Sequence, residues 1–295
     1  MNVTIQQQDS QGRVTVHSDE EYQKYWSLGE AERQEFVRRS FEQRNPLDTY
    51  ATSRDSHLRE LEIASIARYA AGAKTILDLG CGNGHTLLSL AATTSAEMTG
   101  VDFAETLIDG ARALTEQRRA TLTREPKFVC GDAVKYVAGL DDNSIDCVVT
   151  ERFLQNLPSP EAQKAMIRSI SRVLTPSGVL LMCEGSEDGF DALNDIRATM
   201  GLTTIPATSP ENVTAIRFSD ADVENFAAGT GLTLQAKVGY STYFLISRVL
   251  HPLLAAPLAP RFDAPINQYA ADIQRHARTW DPGYGSNVLW VYKKG

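Results

Sequence analysis

The chain has 295 residues, of which 42% are hydrophobic and 22% charged, and its formal net charge is −8 at pH 7. That composition supplies a full core for one large α/β domain with additions. The acidic balance argues against extended nucleic acid or an anionic membrane surface as a partner, since both demand a basic footprint, and no run approaches the roughly 18 uninterrupted apolar residues of a membrane span.

The first 18 or so residues are polar, with no apolar segment of a secretory signal, and read as loosely ordered. Cys81, Cys130, Cys147 and Cys183 show no C-x-x-C spacing and no nearby His at metal-site spacing. They read as unpaired thiols without a metal, in a cytoplasmic protein. Asp19 to Arg44 is rich in Glu, Gln, Arg and aromatics, which predicts two helices broken near Gly29. After the loop "NPLDTYATSR", Ile63, Ile66, Ala67 and Ala70 mark a further helix at helical spacing.

From residue 75 strands and helices alternate. The predicted strands are Thr75 to Leu79, Glu97 to Val101, Lys127 to Cys130, Ile145 to Thr150 and Gly178 to Cys183. The predicted helices are Thr86 to Ala92, Ala104 to Thr121 and Ser159 to Leu174. Short apolar strands joined by helix-length crossovers specify an α/β fold with a parallel sheet covered on both faces. A helix over Gly189 to Met200 and another opened by Ser219 precede a strand at Leu232 to Tyr240, and the last strand spans Asn287 to Tyr292. The residues between those two strands, 241 to 285, far exceed a hairpin turn and read as a functional cover.

Three strand ends carry candidate chemistry. "LDLGCGNG" places Gly80, Gly82 and Gly84 at G-x-G-x-G spacing behind a strand and before a helix, where the backbone can approach a ligand closely. The nicotinamide fingerprint G-x-G-x-x-G is broken at His85, which disfavours an oxidoreductase. Asp102 ends the next strand, placed to accept from ribose hydroxyls, and Asp132 follows the one after. All three lie on the carboxyl edge of one sheet, where open α/β sheets bind ligands.

The run "ILDLGCGNG", then "GVDFAETLIDGAR", "FVCGDA" and "SIDCVVTERFLQNLPSPEAQKAMIRSISRVLTPSGVLLMCE", resembles the class I S-adenosylmethionine-dependent methyltransferases of small-molecule type over about residues 55 to 190. The resemblance implies a Rossmann-like doubly wound sheet, mostly parallel with an antiparallel last strand. It divides the chain into an N-terminal helical extension (1–54), a cofactor-binding core (55–240 with 286–295) and a helical insertion (241–285). It further implies S-adenosylmethionine as cofactor. Asp78, Gly80, Cys81, Gly82 and Gly84 would hold its methionine part, Asp102 its ribose hydroxyls, Asp132 and Ala133 its adenine, and Arg54 its carboxylate, with Phe103 and Glu151 as further cofactor contacts. Glu151 to Phe153 would face the methyl group.

Where many such enzymes carry a His pair, one of which can act as base, this chain has Gln155-Asn156, and neither amide takes up a proton at neutral pH. Glu151 and His251 are the candidate catalytic groups, with Glu184 and His85 as further candidate bases. Tyr50, Phe153, Tyr240 and Tyr243 are candidate pocket walls. The N-terminal helices, with Trp26 and Tyr50, and the 241–285 excursion are the two segments able to close over the site. The expected reaction is in-line methyl transfer to a nitrogen or oxygen of a small molecule. A peptide N-terminus as acceptor, and a cofactor-binding protein without catalysis, stay open, as does a homodimer.

Overall fold

The computed structural model describes residues 5–8, 14–17, 24–206, 214–277 and 280–295. The expected helix start at Asp19–Gln23 lies outside these. Two short strands, β1 (Ile5–Gln8) and β2 (Val14–His17), pair antiparallel as a separate hairpin in the stretch expected to be loose. Helix α1 (Glu30–Glu42) starts at Gly29, whose N–H donates to Glu32 at 2.9 Å, and α2 (Ser56–Ala70) starts at Asp55, whose carboxylate accepts from the Leu58 N–H. Each cap satisfies an amide that the first helical turn leaves without a partner.

The body is a seven-stranded sheet in the order β5 (Lys127–Cys130), β4 (Glu97–Asp102), β3 (Thr75–Leu79), β6 (Ile145–Glu151), β7 (Leu174–Gly185), β9 (Asn287–Lys294), β8 (Leu232–Gly239). The first five pair in parallel, and β9 runs antiparallel to both β7 and β8. This is the doubly wound sheet expected, with its last strand reversed. The order turns back between β3 and β6, the kind of crevice where ligands of such sheets bind. Register sets Leu79 beside Thr150 there, so the glycine loop after β3 and Glu151 at the end of β6 are neighbours.

Both faces of the sheet are covered. One core gathers Leu77, Val148, Leu180, Ile170 and Trp290, and the other Ile76, Cys147, Leu181, Met98 and Leu87, all essentially buried. Each large aliphatic group so placed contributes about 1.5–3 kcal/mol. Burial on two faces is why these strands read as continuous apolar runs.

The 241–285 excursion is helical. Ser241–Phe244, a π-turn at Leu245–Leu250 and His251–Ala255 follow one another without a break, and a further helix spans Pro265–His276. These build a third, smaller core from Tyr240, Tyr243, Phe244, Val249, Ala270 and Ala271 against Leu58 and Leu61 of α2. A helix at Ala133–Ala138, too short for a clear periodic signal, was missed by sequence.

Candidate functional site

The loop after β3 turns through three left-handed glycines, Gly80, Gly82 and Gly84, with φ of +73°, +55° and +77°. Neighbours also press on it. A Cβ on Gly80 would lie 2.8 Å from that of Phe153, and one on Gly84 would lie 2.5 Å from the Phe128 ring. So backbone handedness and packing already require glycine at both positions. The loop is pinned to β4: the N–H groups of Gly80 and Cys81 donate to Val101 O at 2.8 and 3.1 Å, and Gly82 N–H donates to the Asp102 carboxylate at 2.9 Å. Asp102 accepts a second N–H, from Ala104, at 2.9 Å. Burial nevertheless holds its carboxyl above the usual range.

Asp78, the last-but-one residue of β3, is buried and its Oδ1 has no partner. Burial pushes its carboxyl up to about 7, against the pull of Arg59 and with a smaller push from Asp102. A buried carboxyl without a donor is costly and marks a place prepared for one.

Across the turning point, Glu151 ends β6 within a chain of buried charges. Its carboxylate pairs with Arg59, accepts from Thr86 Oγ1 at 2.7 Å, and accepts from Arg152 at 3.1 Å. Arg152 also donates to Glu62 at 2.6 Å, and Glu62 accepts from Asn287 at 3.0 Å. Burial, and then the nearby Arg152, pull Arg59 down to about 10. Removing one member of such a chain would leave a buried charge uncompensated.

An open-mouthed cavity lies at this edge. Its floor is Asp78, Gly80, Cys81, Gly82, Asp102 and Phe103, and its inner wall is Glu151, Arg152, Phe153, Gln155 and Asn156. The N-terminal segment closes the remaining side with Val37, Phe41, Arg44 and Thr52, joined by Arg59 from α2.

A sequence model described as the methyltransferase domain matches residues 76–178, from β3 into β7. Over those residues the chain is therefore similar to a methyltransferase domain. It is 33% identical over 108 residues to a ubiquinone biosynthesis O-methyltransferase of Coxiella burnetii, covering 36% of this chain and 42% of the relative. It is 30% identical over 113 residues to a demethylmenaquinone methyltransferase of Staphylococcus aureus, covering 38% and 43%. The chain thus spans less than half the length of these two curated relatives. The crystal structure of an S-adenosylmethionine-dependent methyltransferase from Archaeoglobus fulgidus superposes with a TM-score of 0.50 at 19% identity, covering 80% of this chain and 94% of that one.

The methyltransferase domain takes S-adenosylmethionine as cofactor, and the floor fits it: a buried acid lacking a donor, a tight glycine turn and a second acid with lone pairs to spare. Of the residues predicted from sequence, Asp78, Gly80, Cys81, Gly82, Asp102, Phe103, Glu151 and Phe153 line the cavity. The others lie elsewhere. Arg54 is exposed, whereas Arg59, inside the helix that follows, lines it. Gly84 opens the helix His85–Ala91. Asp132 is exposed, its Oδ1 accepting the Val134 N–H at 2.8 Å as a helix cap, with Ala133 buried beside it. Tyr50 donates to Glu60 at 3.0 Å and sets its ring against His85, which shares the same carboxylate.

Tyr240, Tyr243 and His251 correct the expectation for the excursion. All three are buried in or beside its own core. The Tyr243 hydroxyl donates to Asp55, and His251 packs by Asn267, burial pulling its pKa down. Glu184 is also withdrawn. It accepts the N–H groups of Phe153, Leu154 and Gln155 at 3.2, 3.0 and 3.2 Å, and burial raises its carboxyl to about 7. Missed by sequence were Val37, Phe41, Arg44, Thr52 and Arg59; Arg152 lay in the segment Glu151 to Phe153, but its ion pairs were not foreseen. Arg59 and Glu62 had left a signal: two charged residues on the apolar stretch of α2, both wholly buried.

Proposed function

We propose that this chain is a methyltransferase that moves a methyl group from S-adenosylmethionine to an oxygen or nitrogen of a small molecule. Asp78, buried at the turning point of the sheet with an oxygen lacking a donor, is the observation that carries the reading. In it, Asp78 accepts from the cofactor's ammonium group, Arg59 faces its carboxylate in place of Arg54, Asp102 holds the ribose hydroxyls and Phe103 flanks the adenine. Asp132, with one oxygen committed to its helix cap, keeps the other for the adenine amine. The acidic balance and the lack, among the described residues, of a helix able to cross a membrane favour a small acceptor met in the cytoplasm.

The bound cofactor supplies an electrophilic methyl on a positively charged sulfur. The chain's own work is then to hold the acceptor in line and keep water out, which accounts for most of the acceleration in such displacements. Phe41 and Val37 of α1 and Phe153 of the inner wall are the apolar groups available for that. Glu151, gripped by Thr86, Arg59 and Arg152, orients this wall rather than taking up a proton. The test pairs calorimetry with S-adenosylhomocysteine and transfer of a labelled methyl group to a panel of small molecules. Binding with transfer supports the reading; binding without transfer to any acceptor reduces the chain to a cofactor-binding protein, and no binding rejects it.

A further inference from the structure

Arg152 is one of three non-glycine residues with positive φ among the described residues, at +56°, and it sits directly after β6. Such strain persists only where the surroundings enforce it. Here both main-chain groups are held: Arg152 N–H donates to Cys183 O at 2.9 Å, and Arg152 O accepts from Asn156 Nδ2 at 2.6 Å. The result is a guanidinium set in the inner wall of the cavity. Of its five N–H donors, one goes to Glu62 and one to Glu151.

The wall residues beside it offer donors as well. The Gln155 side-chain oxygen accepts the Gly185 N–H at 2.7 Å. Only the oxygen of an amide can do this, so the orientation of Gln155 is fixed and its NH2 is the end left for the cavity. Asn156 is committed at both ends, donating to Arg152 O and accepting from the Thr214 hydroxyl at 2.7 Å. No lining residue is His, Lys or Tyr. The carboxylates within reach are Asp78 and Asp102 on the floor and Glu151, which is already triply held. An inner wall whose one carboxylate, Glu151, is already taken up by Arg59, Thr86 and Arg152, and which otherwise offers donors, suits an acceptor that arrives as an anion.

We propose, resting on the methyl-transfer reading, that the methyl acceptor is a carboxylic acid, seated as its carboxylate against Arg152 and Gln155 and methylated on oxygen. One carboxylate oxygen gives the electron pair of the new O–C bond while the C–S pair stays on sulfur. The sulfonium becomes a neutral thioether, the acid becomes an uncharged methyl ester, and no proton moves. The missing base is thereby accounted for. Charge-assisted contacts from a guanidinium favour a carboxylate over its amide or alcohol.

The experiment presents aliphatic and aromatic monocarboxylates, octanoate and benzoate among them, to the full chain with methyl-labelled cofactor, alongside the matching primary amides, alcohols and amines. The proposal expects label in the carboxylates alone, released as methanol by alkali. Calorimetry on the S-adenosylhomocysteine complex is expected to show carboxylate binding that falls at least tenfold in Arg152→Gln and in Gln155→Glu. The second change keeps an oxygen for Gly185 N–H and adds a negative charge, so it tests the wall without emptying it. S-adenosylhomocysteine itself should bind the Gln155→Glu variant within about threefold of the parent. Alkali-stable label in amines or alcohols, carboxylate binding unmoved by both changes, or no carboxylate of the panel bound would overturn the proposal. Failure of the unaltered chain to bind S-adenosylhomocysteine would instead strike the methyl-transfer reading beneath it.

Discussion

Two segments had equal claim to cover the site, and they are attached to the body by opposite means. The excursion after β8 brings its own core and two helical arms, and binds α2 through Tyr243 and Arg248 on Asp55. The N-terminal segment is tied by polar tethers beside the contact of the Phe41 ring with Phe103. Glu42 accepts the N–H groups of Glu105 and Thr106 at 3.0 and 3.2 Å, which also suits a carboxylate at a helix N-terminus. Asn83, in the glycine loop, donates to Pro46 O and Asp48 O at 3.2 and 2.7 Å. Among the described residues the excursion lines none of the cavity, and the N-terminal segment lines a full side of it. A segment held by a few exchangeable hydrogen bonds is better suited to open and close than an insertion with its own core, and we propose the N-terminal segment as the cover.

The hardest test of that contrast is Phe244→Ala. Phe244 is 1% exposed at the centre of the excursion core, so the change should cost about 3–5 kcal/mol of stability. Affinity of the folded protein for S-adenosylhomocysteine should not move. A loss of affinity in step with stability would show the excursion to be part of the cover after all.

Asp78→Asn probes the floor that the N-terminal segment covers. Replacing an ionised partner of the cofactor ammonium should weaken S-adenosylhomocysteine by about 10- to 100-fold. Free of ligand, the same variant should be the more stable protein at pH 8. A carboxyl raised to about 7 in the fold favours folding when protonated; that contribution is full below its unfolded pKa and is lost as pH rises through about 7. The amide never ionises, so melting of the variant should change less between pH 5 and 8. Equal pH profiles for the two proteins would contradict the placement of Asp78.

Glu42→Ala should act on exchange more than on stability. Loss of contacts worth about 1 kcal/mol at a half-exposed site predicts release of S-adenosylhomocysteine about fivefold faster in stopped flow, with little change in melting. Smallest is His251→Ala, expected to leave turnover within about twofold because the imidazole lies in the excursion; a fall of about 100-fold or more would restore it as a general base.

The sheet was legible because its strands are buried on both faces and its glycine and aspartate strand ends fall where α/β folds place ligands. Gly80, Gly82 and Asp102 could be named from that pattern, and Asp78 and Phe103 from the family resemblance. The ion pairs of Arg59 and Arg152 could not be read there, since they depend on Glu62 and Glu151 meeting them, across 90 residues of chain in the case of Glu62 and Arg152. Tyr240 and Tyr243 misled for the reverse reason. An aromatic on an insertion reads the same whether it faces a ligand or another helix, and only tertiary packing decides.

A crystal structure of the full chain with S-adenosylhomocysteine tests the account most directly. It should show the ligand between the Gly80–Gly82 turn and Phe41, with its amino group on Asp78 and its ribose on Asp102. Density for the ligand anywhere else, or beneath the excursion beside Tyr243 and His251, would contradict it.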